Sequence, residues 1–418
     1  MVKHSPPQPP TICTVITTTH RNDGNGRMSA SATSEHHDTR TAADEVASAL
    51  HDAFDGRSPD VVLLLASFHH VAALPQACDD LRRMLVPGHF LAATAESVLG
   101  DGRELEGVAG MSALAMWFGG PRKVRILPWR TAAWDPIPIS QPEALAARID
   151  ATDDTQCVII LADPFSTPST RMLPAIGSCL GSRHPIAVTG GLLSGASQPG
   201  CNRLILDDVV QDAGAIGLTI SGDIEIRTLV SQGCRPVGEP IVVTNCDGNV
   251  ITGLGGRPAL DVVRDLLGNL PDQERELLSE GLLIGRAIDA SKKRLGRGDF
   301  VVRNVLGVDE KKKALAIGEL PRPGQTIQIH LRDAQAAHED MQLLLDGQQV
   351  HDPALAAFLV TCSGRGQRLF GGIGHDTSIV RQRLADPPLA GFSAAGEFGP
   401  IAGSNFIHSQ AVVATLFG

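Results

Sequence analysis

The stretch AAFLVTCSGRGQRLFGGIGHDTSIVRQRLADPPLAGFSAAGEFGP, Ala356 to Pro400, decides the fold. It opens on an unbroken apolar run, Ala356–Cys362, which suits a strand buried on both faces. A glycine-containing loop follows, then Asp376 in an N-cap position ahead of Ile379, Val380 and Leu384 at helical spacing. Pro388–Pro400 reads as a second strand made of small residues, and Ala411–Phe417 as a closing apolar strand.

The same order of elements occurs twice more. VVLLLAS at Val61 and CVIILAD at Cys157 are apolar runs of the same kind. Helical spacing follows each, through Leu74, Cys78, Leu81 and Leu85 in one and Met172, Ile176, Cys179 and Leu180 in the other. Small-residue strands come next, HFLAATAESVLG and PIAVTGGLLSGA, and apolar strands close the units at Ser112–Phe118 and Ala215–Ser221. Between the second and third units lies a different region. GGRPAL leads into a helix through Leu260, Val263, Leu266 and Leu267, and Asp299–Arg332 reads as a meander of strands punctuated by Pro321, Pro323 and Gly324. The expected class is α/β (α+β), with mixed sheets flanked by helices and two related halves built from the repeated unit. Residues 1–42, rich in Pro, Thr, Ser and His, are expected to be a disordered tail, with Met28 a candidate true start.

Composition narrows the function. The 418 residues carry a net charge of −10, with 12 Phe, 3 Trp and no Tyr. Surplus acid argues against nucleic acid, which needs surplus Lys and Arg to neutralise phosphates. Apolar runs reach strand length and not the ~18–20 residues of a membrane helix, and no secretory h-region opens the chain. Eight cysteines without C-x-x-C spacing point to reduced thiols and a cytoplasmic protein. The P-loop, G-x-S-x-G and H-E-x-x-H signatures are absent. No cofactor and no metal site are expected.

The candidate site residues concentrate in the third unit. Arg365, between Gly364 and Gly366, stands beyond a strand end, where α/β sheets collect ligands. Its guanidinium suits a carboxylate or phosphate; a plain surface loop is the alternative. His375 and Asp376 open the following helix, whose free N–H groups attract anions; Asp376 is equally an ordinary N-cap. Glu397, an acid among Ala, Gly and Phe, needs a buried partner, either an ammonium ligand or an internal Arg. Asn405 presents an amide to a ligand or bonds its own backbone. Arg257, ahead of Pro258 at a helix start, is a carboxylate site or a structural Arg packed against the meander. Cys362 ends its strand as a reactive or, more simply, an inert thiol.

Taken together, GCRPVGEP, GGRPALDVVRDLL, GRGDFVVRNVLG, PRPGQTIQIHLRDA, CSGRGQRLFGGIGHD and LAGFSAAGEFGPIAGSNFIHS resemble the C-terminal part of FIST-domain proteins. VVLLLASFHH with HFLAATAESVLGDGRELE resembles the N-terminal part. The resemblance spans about residues 43 to 417, with one departure: Ser97 stands where a Gly follows the Glu in the family's pattern. It implies a FIST N-terminal domain over 43–232 and a FIST C-terminal domain over 233–418. It also implies a sensory module of signal transduction that binds small ligands such as amino acids. No kinase, cyclase, F-box-like or DNA-binding segment accompanies it, so a separate downstream signalling protein is expected. Arg365 or Arg257 would then take the ligand's carboxylate, and Glu397 with Asp376 its ammonium. The alternatives are a protein-interaction scaffold without a ligand, or an enzyme using Cys362, His375 and Glu397.

Overall fold

The run Ala356–Cys362 forms a strand that sends alternate residues into two different cores. Phe358 and Val360 enter one cluster, Ala357 and Leu359 another. The runs at Val61 and Cys157 behave alike. Leu63 and Leu65, and Ile159 and Leu161, join Phe358 in the same cluster, while Val62 and Leu64, and Val158 and Ile160, point away from it. Residues alternate across a strand, so a strand with both faces covered must be apolar throughout. These facts describe a computed structural model covering residues 16–22, 26–119, 123–132, 138–181 and 185–418.

Two sheets enclose the shared core. The first has seven strands, with Val61–Ser67 between Met111–Trp117 and His89–Ala95. The second has eleven, with Thr155–Ala162 and Ala356–Cys362 both inside it. Each of the three apolar strands has a parallel neighbour reached through a helix and an antiparallel neighbour on its other side. The helices Thr39–Ala53 and Leu74–Leu85 cover the outer face of the first sheet, and Ser169–Ser178, Ala334–Asp346 and His375–Arg383 that of the second. The result is a mixed α/β sandwich of four layers. One strand–helix–strand–strand segment lies in the first sheet and two in the second.

The meander closes on itself. Cys234–Asp247 pairs with both Val250–Leu254 and Thr326–Arg332, and Leu282–Ala287, Phe300–Asp309 and Ala314–Ile317 complete an antiparallel ring of six strands. This small barrel sits in the chain between the second and third units. Immediately before it, Ile226–Gln232 pairs with the last strand, Ala411–Phe417, so the sheet crosses the expected boundary at 232/233.

The expected disordered tail is corrected at Ile16–Asn22 and from Arg27 onward, where the chain forms paired strands and then a helix. Arg27–Ser34 is a buried strand between Ile16–Asn22 and Met111–Trp117, and the helix Thr39–Ala53 begins at the Asp38 cap. Met28 lies within that strand, opposite Trp117. Low hydrophobicity hid the strand because its hydroxyls have buried partners. Ser31 Oγ donates to Asp101 Oδ1 at 2.5 Å and Thr33 Oγ1 to Asp101 Oδ2 at 3.0 Å, while Ala30 and Ala32 face the core. The remainder of the expected tail, residues 1–15 and 23–25, lies outside the described residues. The seven cysteines among the described residues are unpaired, and no described helix is long and apolar enough to cross a membrane.

Phe358 has no exposed surface and fills the core between the sheets. Phe358→Ala is expected to cost about 3–5 kcal/mol, read as a lowered urea midpoint. Val350→Ala, at a side chain 86% exposed, should leave the midpoint where it was.

Candidate functional site

The strand Ala356–Cys362 ends in a tight loop closed by the bond from Arg365 N–H to the Cys362 carbonyl at 2.8 Å. That loop forms one wall of a cavity of about 400 Å³. The opposite wall is a hairpin, Val98–Gly100 and Arg103–Leu105, which pairs along Ala390–Phe392 of the long strand Leu389–Ile401. The cavity therefore lies beyond a strand's carboxyl end, as expected for an α/β sheet.

Arg365 is at the floor, its side chain wholly buried. It binds Asp376 through two bonds, Nε to Oδ2 at 2.7 Å and Nη2 to Oδ1 at 2.8 Å. Burial pushes the Asp376 carboxyl upward, but the guanidinium, with His375, outweighs it and holds the acid well below the ordinary range. His375 Nδ1 lies 2.9 Å from Asp376 Oδ1, its Nε2 lies 2.9 Å from His338 Nδ1, and its ring stacks on Phe370 at 3.5 Å.

The helix that His375 opens is not capped by Asp376. Gly374 holds the cap position, and the side chain that satisfies the first N–H groups is Glu104 of the hairpin. Its Oε1 accepts from Asp376 N–H at 2.8 Å and Thr377 N–H at 3.0 Å. Burial first, and Asp376 second, raise the Glu104 pKa to about 7. Two residues on, Glu106 accepts from Gln367 N–H at 3.1 Å; burial raises this carboxyl also. Gly366 is required here. Its φ is +58°, and a Cβ would stand 1.9 Å from Glu106 Oε1. At the rim Arg368 pairs with Glu96 at 3.0 Å.

Glu397 lies where the long strand leaves Ala356–Cys362 and joins Ala187–Leu193 and Ser404–His408, opposite Gly191 and His408. It is fully buried, has no ion pair among the described residues, and accepts from Ala411 N–H at 3.2 Å, with the Cys362 thiol as a second hydrogen-bonding neighbour. Burial raises its carboxyl well above the ordinary value, and the ion pair expected with an internal Arg is not formed among the described residues. Burial and Glu397 push the neighbouring Cys362 thiol up to about 12. His375 is turned to Asp376 and His338, so the Cys362–His375 contact of the enzyme reading is not formed. Three buried polar atoms around this floor have no partner among the described residues: Arg365 Nη1, Glu397 Oε1 and Gln410 Oε1.

The cavity thus brings together Arg365 and Cys362, with Asp376, His375 and Glu397 packed behind them. It does not include the other two candidates. Arg257 is on the barrel exterior, exposed and paired with Asp265 at 2.6 Å. Asn405 is buried, and its amide holds backbone, accepting from Val188 N–H at 2.9 Å and donating to the Ile186 carbonyl at 2.8 Å. Sequence reasoning missed Glu104 and Glu106 as site residues. Acids two apart on an extended chain share a face, and that spacing in DGRELEG was the available signal. No cluster of metal-ligating side chains occurs among the described residues.

Residues 60–257 match the FIST N domain and residues 259–400 the FIST C domain. The chain belongs to the FIST family. FIST domains are associated with sensory signal transduction. Similar proteins include an uncharacterized protein of Mycobacterium tuberculosis, 35% identical over 384 residues, which is 91% of this chain and 97% of that protein. An uncharacterized protein of Mycobacterium bovis is 34% identical over 383 residues, 91% of this chain and 96% of its own length.

Asp376→Asn leaves the buried Arg365 charge without its partner. A loss of about 3–5 kcal/mol is expected, measured by chemical denaturation, whereas Arg257→Gln at the exposed pair should leave the curve unchanged. Glu104 gives a pH signature. Its ordinary pKa is 4.5 and its folded value about 7, so between them the native protein retains a proton that the unfolded chain has released. Its contribution to stability is therefore present below 4.5 and falls as pH rises to about 7. The melting temperature of Glu104→Gln should decline less than that of the wild type between about pH 5 and about pH 8.

Proposed function

We propose that this chain is a ligand-binding sensory domain whose ligand is a small zwitterion of the amino-acid kind, held in the cavity between the hairpin and the Ser363–Arg368 loop. The observation that carries the reading is the arrangement of charge around that cavity. Glu96, Glu104 and Glu106 line one side, and Arg368 and the buried Arg365 the other, with Nη1 of Arg365 unpartnered. An ammonium group is drawn to the acidic side and a carboxylate to the guanidinium side.

This assignment differs from the one the residue types alone suggest. Asp376 is occupied by Arg365, and Glu397 lies behind the floor and not on the cavity lining, its carboxyl raised well above the ordinary value by burial. The ammonium contacts pass to Glu106 and Glu104, and the carboxylate contact to Arg368 with Arg365. Because the ligand would touch both the hairpin and the loop, its arrival would change how these two segments of the second sheet are held together. A separate signalling protein would read that change.

A thermal-shift panel of amino acids, simple amines and small carboxylates tests the proposal. A ligand bound only by the native state stabilises it by about 2.7 kcal/mol at a hundredfold excess over Kd. Shifts are expected for amino acids and not for amines or acids alone. Glu106→Gln and Arg368→Gln should each weaken the response by about ten-fold, the worth of a charged hydrogen bond. Glu397→Gln should leave it unchanged. A flat panel returns the chain to the scaffold reading.

A further inference from the structure

A second cavity, of about 550 Å³, opens between the barrel and the second sheet. Its walls come from separate parts of the chain. The helix Ser169–Ser178 supplies Leu173 and Pro174, and the strand Ser404–His408 supplies Phe406 and Ile407. The barrel supplies Ile317 and Leu306, with Leu320 just beyond its strand Ala314–Ile317. Leu306 is 63% exposed and Leu320 72% exposed, so the barrel places large apolar side chains at the mouth where polar ones would be the rule.

The charge in this apolar setting is unbalanced. Arg286 and Arg303 share a single carboxylate, Glu319: Arg286 Nε reaches its Oε1, and Arg303 Nε its Oε2 at 2.9 Å. Arg303 is also fixed by the carbonyls of Val302 and Ile407, each 2.9 Å from Nη1. Arg286 stands 6.0 Å from the centroid of Phe406, and only its Nε is hydrogen-bonded among the described residues. Two guanidiniums and one carboxylate leave one positive charge. Burial, only partly offset by Glu319 and reinforced by Arg286, weakens the hold of Arg303 on its proton. Behind the wall, burial lowers the His408 pKa to about 4 and raises the Glu397 carboxyl well above its ordinary value, though Glu397 still adds a little to the hold of Arg303 on its proton. At the cavity wall itself Glu319 is the carboxylate that faces the two guanidiniums.

From this geometry we infer a second ligand site, for an amphipathic monoanion: a medium-chain carboxylate with its head on Arg286 and Arg303 and its tail along Leu173, Leu306, Leu320 and Phe406. A carboxylate matches the guanidinium fork and cancels the single surplus charge, which a dianion would overshoot. The volume falls in the usual range for small-molecule sites, about 300–1,000 Å³. The site is separate from the acidic cavity, and its test does not depend on the amino-acid reading.

Calorimetric titration of the full chain with decanoate, below its micelle-forming concentration, tests it. Decanol and decyltrimethylammonium serve as the uncharged and cationic counterparts. Saturable decanoate binding is expected, about ten-fold tighter than decanol, with no binding of the cation. Arg286→Gln should lower decanoate affinity by about ten-fold. Leu306→Asp, at an exposed position that does not disturb folding, should abolish it by placing an anion at the mouth. The inference is overturned if decanoate does not bind saturably, if decanol binds equally well, or if Leu306→Asp binds decanoate unchanged. Should Arg286→Gln lose its native circular dichroism, the decanol comparison and Leu306→Asp still decide.

Discussion

Everything in this molecule follows from burying three strands on both faces at once. A strand with one wet side can alternate; these cannot, so their sequences are continuous apolar runs. One face of each run enters the core shared by the two sheets, and the other must be covered by a helix. That requirement fixes the four layers and brings each helix back beside a parallel strand. It also explains the shortage of aromatics. Where backbones lie this close, Ala and Gly pack the small-residue strands, as at Gly391, whose Cβ would stand 2.0 Å from the Leu359 carbonyl oxygen.

The same layering concentrates charge at one edge. Beyond the end of Ala356–Cys362, Arg365 and Asp376 neutralise each other out of water, and two carboxylates from a distant hairpin satisfy backbone N–H groups. A buried ion pair is weak evidence for stability, since desolvation offsets most of the attraction. Its value here is positional: it ties the loop to the first turn of the following helix and so sets the cavity floor. At Glu397, by contrast, burial without an ion-pair partner among the described residues raises the carboxyl well above its ordinary value.

The sequence made some of this visible and concealed the rest for physical reasons. The apolar runs, the helices after them and the meander could be read because periodicity and turn residues are local signals. The strand Arg27–Ser34 could not, because Ser31 and Thr33 look like tail residues until Asp101, about seventy positions on, is brought beside them. Arg365 and Asp376 stood out, yet their residue types suit a ligand as well as each other; only the fold shows that they meet. Glu104 and Glu106 read as ordinary surface acids, since their partners lie more than 260 residues away. Arg257 stands at a helix start, a local signal, and the barrel turns it to solvent beside Asp265, away from the cavity.

The hairpin carboxylates have one more consequence. Glu104 and Glu106 are attached to the chain that they contact, so they face those N–H groups at an effective concentration of roughly millimolar or higher. An anion arriving at the same N–H groups meets a tethered rival that never diffuses away. It must outbind that rival before the groups change hands, and its apparent affinity is reduced by the fraction of time they are free. The hairpin therefore acts as a threshold written into the covalent structure. A dilute anion of ordinary affinity would leave the two carboxylates in place.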